Sequence, residues 1–238
     1  MKCLILAGGF ATRLYPLTLN KAKALLEFKG QPTITHIVNR VPLDIDILVS
    51  TNKKFETDFL NWQETLDRQV EICIEEALED GQKKGAVGAI DFWIKNKDIS
   101  EDLLVIAADN YFEFDLAALL AGFDGSTPLI AVRDVGDKNK ACELAKACQV
   151  GLVTLENNRV IKLDEKPPEA TSSIIATGIY VIPARLFPIL SHYCSLKKQD
   201  NLGSFISFLL DKEEVSAYTF SEVWIDIGDE IKKGKLSV

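Results

Sequence analysis

The sequence contains few of the residues that form metal, redox and disulfide centres. Its 238 residues include two histidines and five cysteines, and no two cysteines have the CxxC spacing. Because a structural zinc ion needs about four clustered cysteine or histidine ligands, this composition argues against a zinc site. An odd number of cysteines is typical of buried free thiols, so we expect a cytoplasmic protein in a reducing environment.

Excess positive charge and long apolar runs are also missing. The chain carries 27 Lys and Arg residues against 35 Asp and Glu residues, a formal net charge of -8. Proteins that bind nucleic acid non-specifically usually have the opposite sign, so we expect no nucleic-acid partner. The apolar run at residues 3–7 stops at Gly8, and no run reaches the roughly 20 residues of a membrane span. We therefore expect no signal peptide and no membrane association.

The first half of the chain alternates predicted strands with predicted helices. This order is typical of βαβ units and of a mostly parallel sheet. The apolar patterns predict strands at residues 2–6, 45–50, 70–74 and 103–107, and helices at residues 54–66 and 87–94.

The second half is richer in predicted strands, which alternate with short polar connections such as Asn157-Asn158, a pair that fits a hairpin turn. We therefore predict an α/β fold: a Rossmann-like, mostly parallel sheet with helices on both faces and an added β-rich lobe. Residues 1–238 are predicted to form a single domain with two halves, at about 1–125 and 126–238. The predicted strands of the second half are residues 128–133, 150–155, 159–164, 174–182 and 215–220, and its helices are residues 184–190 and 204–210.

The segment after the first predicted strand carries the strongest functional signal. It reads LAGGFATRLYPLT over residues 6–18, so that Gly8 and Gly9 follow the strand directly. In open α/β sheets, ligands bind beyond the carboxyl ends of the strands, and glycines let backbone N–H groups approach a phosphate closely. Arg13 adds a permanently charged donor that suits bidentate phosphate contacts. The segment is therefore predicted to bind phosphate groups.

Two other phosphate-binding motifs do not fit this segment. A P-loop needs a Gly-Lys pair that begins five residues after its first glycine, and five residues after Gly8 the chain has Arg13. The GxGxxG spacing of dinucleotide-binding loops is absent as well. The alternative that spacing alone leaves open is a Gly-Gly turn beside an exposed arginine.

The whole segment resembles the signature of the sugar-1-phosphate nucleotidylyltransferases, also called nucleotide-sugar pyrophosphorylases. Their pattern is GGxGTRLxPLT followed by a Pro-Lys-Pro-Leu-Leu-like stretch, which KAKALL at residues 21–26 resembles. Ala11 stands where glycine is commoner, and Ala22 stands where proline is usual. The resemblance implies that Arg13 and Lys23 contact the triphosphate of a bound nucleotide. It also implies that the nucleotide site is lined by Leu6, Ala7, Gly8 and Gly9.

Further motifs of the same family follow in order along the chain. GAVGAI at residues 85–90 resembles the family's GTAGAL loop, which implies that Gly85 and Ala86 lie against the nucleotide. Ala86 replaces the usual threonine. Glu75 stands where the family places a residue that reads the edge of the base. A carboxylate there accepts an N–H group from thymine, uracil or guanine, so it leaves the base open.

The second half carries the motifs that the family uses for the sugar phosphate. The Glu-Lys-Pro sequence at residues 165–167 resembles a motif in which lysine contacts the phosphate and glutamate contacts a sugar hydroxyl. The sequence TGIY at residues 177–180 resembles the family's strand beside the sugar. Gly151 resembles a glycine at the floor of the family's sugar site. The implied sugar-site residues are Gly151, Glu165, Lys166, Thr177 and Gly178.

Two carboxylates at the ends of predicted strands resemble the metal ligands of the family. Asp109 follows an apolar strand in AADN, which resembles a Gly-Asp-Asn motif, and Asp226 lies in WIDIG, which resembles the family's WxDIG motif. Magnesium prefers a few carboxylates together with phosphate oxygens and water. The resemblance therefore implies that Asp109 and Asp226 meet in the fold and hold Mg²⁺ as the cofactor.

The resemblance also implies a fold and a reaction. The fold is glycosyltransferase-A-like, with the nucleotide in the first half and the sugar phosphate in the second. A nucleoside triphosphate and a sugar-1-phosphate give an NDP-sugar when the sugar phosphate attacks the α-phosphorus in line and pyrophosphate leaves. The expected roles are Arg13 on the leaving phosphates, Lys23 on the α-phosphate and Lys166 on the sugar phosphate, with Asp109 as a further catalytic residue through the metal. The family includes glucose-1-phosphate thymidylyl- and uridylyltransferases and mannose-1-phosphate guanylyltransferases.

Two other functions are left open by the sequence. A cytidylyltransferase that acts on phosphocholine or a similar alcohol phosphate would share the glycine loop and the carboxylates, but would need an aromatic cage for a quaternary ammonium group. A weakly active regulatory protein that binds nucleotide sugars is the second alternative, which Ala11, Ala22 and Ala86 favour and the retained charged residues disfavour. The sequence leaves the base, the sugar and a homo-oligomeric state open.

Overall fold

The computed structural model describes residues 1–148, 150–165, 169–196 and 201–234. Strands and helices alternate through most of these residues. The strands are β1 (Lys2–Leu6), β2 (Glu27–Phe28), β3 (Gln31–Pro32), β4 (Asp46–Asn52), β5 (Glu71–Glu75), β6 (Leu103–Ala107), β7 (Asn110–Phe112), β8 (Leu129–Asp134), β9 (Gly151–Glu156), β10 (Arg159–Glu165), β11 (Ile174–Ile182), β12 (Ser216–Phe220) and β13 (Trp224–Asp226).

Eight α-helices lie among the described residues, together with short 3₁₀ turns. The turns that matter for the site are Thr12–Leu14, Lys23–Leu25 and Asp80–Gln82. The helices are α1 (Thr33–Val38), α2 (Glu56–Gln63), α3 (Ala86–Asn96), α4 (Leu116–Ala121), α5 (Lys138–Cys148), α6 (Phe187–Ser195), α7 (Leu202–Leu210) and α8 (Ile227–Lys232).

One nine-stranded sheet runs through both halves of the chain, in the order β5-β4-β1-β6-β11-β8-β12-β10-β9. The strands from β5 to β6 are all parallel, as the alternating pattern of the first half predicts. Beyond β6 the sheet is mixed, because β11 runs antiparallel to both β6 and β8 while β12 runs parallel to β8. The predicted Rossmann-like half therefore continues into an antiparallel β-rich half within one sheet.

Both faces of the sheet are covered by helices, as predicted. Successive residues of β1 point to opposite faces, and Cys3 and Leu4 belong to different apolar clusters. Helices α1, α2, α4 and α5 pack on the face of Cys3, and helices α3, α6 and α7 pack on the face of Leu4. Burial on both faces explains why the central strands read as continuous apolar runs.

The hairpin predicted at Asn157-Asn158 is present between β9 and β10. Both asparagines have positive φ angles, 50° and 62°, which match a two-residue turn with left-handed backbone. Asparagine tolerates that conformation better than other side chains except glycine. The turn therefore follows from local chemistry, whereas α1, α4, α5 and α8 were not predicted from the sequence.

None of the helices in the described part of the chain combines the length and the apolar character that a bilayer span requires.

Candidate functional site

A cavity of about 820 Å³ opens at the carboxyl edge of the parallel strands. This volume lies within the range of small-molecule sites. Strands β1, β5 and β6 end at its wall, which is the position that open α/β sheets use for ligands. Most of the residues predicted from the sequence line the cavity: Leu6, Ala7, Gly8, Gly9, Arg13, Lys23, Glu75, Gly85, Ala86, Asp109, Glu165 and Asp226.

The two glycines after β1 leave backbone accessible at the cavity wall. A β-carbon on Gly9 would meet no atom within 4 Å, and one on Gly8 would meet only the Glu75 carboxyl group, with Oε1 3.5 Å away. The loop is anchored from behind, where the Asn52 side chain donates to the Gly8 carbonyl at 3.2 Å. Open space in front of a fixed backbone is what a close phosphate contact requires.

The loop continues into the turn that carries Arg13. Ala11 precedes this turn in the left-handed region, with φ 48° and ψ 42°, at the position where the related signature has glycine. Its carbonyl accepts a hydrogen bond from Thr18 Oγ1 at 2.8 Å. Leu14 is buried against α8, so the turn is fixed in place while the Arg13 side chain is exposed. The substitution of alanine for glycine has therefore kept the left-handed backbone.

Lys23 lies between the two predicted metal ligands. Its Nζ is 2.9 Å from Asp109 Oδ2 and 3.5 Å from Asp226 Oδ1. The Lys23 and Asp226 side chains retain 16% and 12% of their exposure, and Asp109 is more open at 38%. Two carboxylates from distant parts of the sequence thus face one cation at the cavity wall.

A short antiparallel ladder brings the two carboxylates together. Strand β7 begins directly after Asp109, strand β13 ends at Asp226, and the register pairs Asp226 with Asn110. The ladder is extended by a bond from the Ile227 amide to the Asp109 carbonyl at 3.0 Å. Asp226 also caps α8, since its Oδ1 accepts from the Asp229 amide at 2.8 Å.

The electrostatics of this group hold Lys23 in its charged form. Burial alone would lower the pKa of Lys23, but Asp109 and Asp226 outweigh it, so the pKa is well above the usual value for lysine. Burial also opposes ionisation of Asp109, yet the adjacent Lys23 ammonium lowers the pKa of that carboxyl. The pKa of Asp226 is raised, first by burial and then by the Asp109 charge beside it. The site is therefore built around charges that attract and hold a cation.

Glu75 forms the floor of the cavity at the other end. It is 4% exposed, and its Oε1 accepts a hydrogen bond from Ser50 Oγ at 3.0 Å. Ser50 in turn accepts from Trp93 Nε1 at 2.8 Å. Burial raises the pKa of Glu75, and the bond from Ser50 partly offsets that effect. Ser50 also lines the cavity, and it was not predicted from the sequence.

Helix α3 begins at the same end of the cavity. Gly85 precedes the helix with φ 76°, a conformation that L side chains rarely adopt, and Ala86 is its first residue. The connection from β5 to α3 contains a 3₁₀ turn at Asp80–Gln82, and Asp80 and Lys83 also line the cavity. The side chains of these two residues form an ion pair at 2.8 Å.

Glu165 marks the opposite end, at the end of β10. A β-carbon on Gly203 would lie 1.6 Å from Glu165 Oε1, so the glutamate side chain rests on the bare backbone of α7. Asn201 caps that helix by accepting from the Ser204 amide at 2.7 Å, and Asn201 and Leu202 line the cavity. The structure shows that Gly203 makes room for Glu165. Lys166 lies outside the described residues.

Three predicted sugar-site residues do not line the cavity. Gly151 faces Leu163, whose Cδ2 would be 2.5 Å from an added β-carbon. Gly178 has φ 75°, and a β-carbon added there would lie 2.8 Å from Asn110 Nδ2. The same Nδ2 donates a hydrogen bond to the Thr177 carbonyl at 2.8 Å. The pair at 177–178 therefore holds β7 in position behind Asp109. Its predicted contact with a sugar stays a prediction, as does that of Gly151.

The fold and the site define an α/β protein with a ligand-sized cavity at the carboxyl edge of its parallel strands, and the comparison with protein families identifies its family. The family model described as nucleotidyl transferase matches residues 2–231 of the chain. The chain belongs to this family.

Individual relatives agree with that assignment. A Sulfolobus acidocaldarius protein, whose name provisionally assigns it mannose-1-phosphate guanyltransferase activity, is 29% identical over 235 residues, which cover 96% of this chain and 60% of the relative. The bifunctional protein GlmU of Methanocaldococcus jannaschii is 26% identical, with 96% of this chain and 51% of the relative covered. The chain thus spans between about half and three fifths of the length of these relatives.

A third relative has a length closer to that of this chain. The UTP–glucose-1-phosphate uridylyltransferase AglF of Haloferax volcanii is 27% identical over 231 residues, covering 95% of this chain and 88% of the relative. Among solved structures, a UDP-glucose pyrophosphorylase from Acinetobacter baumanii superimposes with a TM-score of 0.75 at 20% identity, covering 98% of this chain and 90% of that one. At that identity the superposition establishes the Rossmann-like fold.

Proposed function

We propose that this protein condenses a nucleoside triphosphate with a sugar-1-phosphate to give an NDP-sugar and pyrophosphate. The observation that carries the proposal is the position of Lys23 Nζ between Asp109 and Asp226, 2.9 and 3.5 Å from their oxygens, in the same cavity as the glycine loop. Relatives named for mannose-1-phosphate guanyltransferase and glucose-1-phosphate uridylyltransferase activity support the same class of reaction.

The shape of the cavity supports an assignment of its two ends. Glu75, Gly85 and Ala86 enclose one end, where the proposed nucleotide base lies, and Glu165 with α7 encloses the other, where the proposed sugar lies. Lys23 and its carboxylates lie at the wall between them, together with the loop that carries Arg13. This arrangement suits two phosphate-bearing substrates that meet in the middle of one cavity.

In the proposed reaction the protein positions charges and transfers no proton. A phosphate dianion is already a nucleophile, so the attack on the α-phosphorus needs no general base. The obstacle is the repulsion between two anions and the charge that develops on pyrophosphate. Arg13 and Lys23 oppose that charge, and such preorganised cations supply a large part of the rate enhancement in phosphoryl and nucleotidyl transfer.

Asp109 and Asp226 fit a magnesium ion that also takes phosphate oxygens and water as ligands. Two carboxylates separated by one cation have the donor chemistry and the charge for it. When bound, the ion would offset the negative charge of the reacting phosphates. Lys23 Nζ now lies between the carboxylates, which we propose is a resting position from which the ammonium turns towards the α-phosphate.

The buried carboxylate of Glu75 supports a preference for certain bases. An ionised carboxylate only accepts hydrogen bonds, and thymine, uracil and guanine offer a ring N–H group where cytosine and adenine offer an acceptor nitrogen. Ser50 holds the carboxylate in place from behind. We infer that the nucleotide carries one of the three bases with a ring N–H.

The cytidylyltransferase alternative has less support from the cavity. Of the described residues that line it, Phe10 alone is aromatic, and Phe10 is 2% exposed. Trp224, the aromatic residue next to Asp226 in the ladder, is buried at 4% exposure and does not line the cavity. An aromatic cage for a quaternary ammonium group is therefore absent from the described part of the cavity.

The proposal also covers the cellular location of the protein and the kind of molecule that it binds. None of the five cysteines forms a disulfide, which supports a reducing, cytoplasmic location. The net charge of -8 supports small phosphorylated substrates in preference to nucleic acid.

The test is a pyrophosphate-release assay with Mg²⁺ over five nucleoside triphosphates and a panel of sugar-1-phosphates, with phosphocholine as a further acceptor. We expect turnover with at least one sugar-1-phosphate and with dTTP, UTP or GTP, and none with CTP and phosphocholine. Nucleotide-sugar binding measured by calorimetry without any turnover would instead favour the regulatory protein.

A further inference from the structure

The positive charges that the described residues bring to the cavity fall into two groups. Lys23 is paired with Asp109 and Asp226, and Lys83 is paired with Asp80. Arg13 and Lys232 also line the cavity, and neither has an ion pair within the described residues. A cation that no carboxylate neutralises is the one most available to a phosphate group of a ligand. The glycine-loop signature accounts for Arg13, but no motif accounts for Lys232.

Helix α8 presents Lys232 to the cavity by its periodicity. Residues four positions apart lie on one side of a helix, and both Gly228 and Lys232 line the cavity. Ile227 and Ile231 form a second side, which packs in an apolar cluster. The third side carries Asp229 and Lys233, which pair with each other and do not line the cavity. Lys232 is therefore exposed on the side that faces the ligand space.

The apolar cluster places Lys232 near Arg13. Leu14, the residue after Arg13, packs in the same cluster as Ile231, the residue before Lys232. Helix α8 also contacts the turn Thr12–Leu14, which carries Arg13. Arg13 and Lys232 therefore belong to adjacent elements of the cavity wall, and both line the cavity.

We propose that Lys232 is a binding residue for pyrophosphate, acting beside Arg13 on the β- and γ-phosphates of the nucleotide and on the pyrophosphate that leaves. This inference rests on the proposed function for its place in the reaction, but pyrophosphate binding can be measured without turnover. In the forward direction Lys232 stabilises charge that grows on the leaving group. In the reverse direction it contributes to the capture of pyrophosphate.

The test compares Lys232→Gln with the neighbouring variant Lys233→Gln. Each variant removes one positive charge, Lys232→Gln at the last residue of α8 and Lys233→Gln at the residue that follows it, and Lys233→Gln keeps a side-chain donor for Asp229. Binding of magnesium pyrophosphate is measured by calorimetry for the wild type, both variants and Lys232→Arg. We expect Lys232→Gln to weaken binding about ten-fold, as loss of one charge-assisted contact implies, and Lys233→Gln to change it less than about two-fold. Arginine at 232 should restore binding, and thermal midpoints should agree for all four proteins.

Kinetics in the pyrophosphorolysis direction distinguish this role from a structural one. With the substrate pair found active in the release assay, Lys232→Gln should raise KM for pyrophosphate about ten-fold and leave KM for the NDP-sugar within about two-fold. The difference should shrink in about 0.5 M salt, because an exposed charge is screened there.

Several results would overturn the inference. They are equal pyrophosphate affinities for the wild type and Lys232→Gln, the same loss in Lys233→Gln, and an equal rise in both KM values. A wild type that turns over no substrate pair would defeat the proposed function. The calorimetric comparison would still decide the role of Lys232 in that case, because a wild type that does not bind pyrophosphate, or binds it as Lys232→Gln does, excludes it.

Discussion

Gly228 and Lys23 approach each other so closely that no side chain fits between them. A β-carbon on Gly228 would lie 2.5 Å from Lys23 Nζ and 2.9 Å from its Cε. Gly228 lies in the first turn of α8, where alanine would ordinarily favour the helix. The absence of a β-carbon at Gly228 therefore leaves room for the Lys23 ammonium between its two carboxylates.

Gly228→Ala should separate activity from stability. The new methyl group pushes the flexible end of Lys23 away, and misplacement of a catalytic group by about 1 Å can lower a rate about 100-fold. We expect a fall in kcat of about that size with a thermal midpoint within a few degrees of the wild type. The measurements are steady-state kinetics and a thermal melt.

Gly81→Ala is the matched control, because an added β-carbon there meets no atom within 4 Å and no positive φ is involved. It should keep wild-type turnover. A Gly228→Ala protein with full kcat would show that the position of Lys23 does not limit the reaction.

Arg13→Ala and Asp109→Asn test the proposed charged groups directly. Arg13 is exposed and unpaired within the described residues, so its removal should leave the fold intact. Removal of one group that donates to transition-state charge typically lowers kcat about 10²–10³-fold. Asp109→Asn should act on the same charge, because it weakens the hold on Lys23 and on the proposed magnesium ion. We expect losses of this size in both variants, with circular dichroism spectra like that of the wild type. Near-normal turnover in both would contradict the assignment of the site.

Ala11→Gly should stabilise the protein. Alanine in the left-handed region costs about 1–2 kcal/mol, and glycine avoids this strain but gains about 0.4–1 kcal/mol of freedom in the unfolded chain. The net expectation is a rise of about 0.5–1 kcal/mol in the free energy of unfolding, measured in urea. Ala22→Gly, at an ordinary φ of -63° and buried, should lower it instead. Equal signs for the two variants would exclude strain at Ala11.

Stability should fall as the pH drops below about 6.5, partly because of His36. Burial, and after it the charges of Arg40 and Lys29, lower the pKa of this imidazole below the usual histidine value of about 6.5. Its Nε2 donates to the Phe28 carbonyl at 2.7 Å, and Nδ1 accepts from Gln31 Nε2 at 2.8 Å, which describes a neutral ring. The unfolded chain therefore takes up the proton first as the pH falls, and folding loses free energy.

The check on His36 is the thermal midpoint between pH 7.5 and 5.5 for the wild type and His36→Gln. Glutamine should lower the midpoint at neutral pH but flatten its decline towards acid. Parallel curves for the two proteins would show that His36 does not take part in the pH dependence.

Much of the parallel half of the fold could be predicted from the sequence, because a buried strand forms a short apolar run that ends at glycine or polar residues. Strands β1 and β6 lie at the predicted residues. Helix α5 was not predicted, since its 11 residues follow a strand and include four lysine or glutamate side chains. Its apolar side becomes visible only where Ala141 and Ala145 meet the sheet.

The motifs predicted that Arg13, Lys23 and the two aspartates share one site. All four line the cavity, and their roles stay predictions. The role of a residue could not be predicted where that role depends on a contact with a residue distant in the sequence. Ser50 matters because it holds Glu75, and Gly203 matters because Glu165 lies against it. Such contacts depend on the packing of separate elements, and a single sequence contains no local signal for them. WIDIG did contain Gly228, but only the distance to Lys23 gives that glycine a role.

The three-residue ladder between β7 and β13 also governs when the site comes into existence. As a nascent chain leaves the ribosome, the segments with Arg13, Lys23 and Asp109 emerge first and can pack into the parallel sheet. Until residue 226 follows and docks, the Lys23 ammonium faces one carboxylate and α8 has no cap. The cavity is therefore completed only after residues 224–232 have been synthesised, and the segments made before them lack one of the two carboxylates.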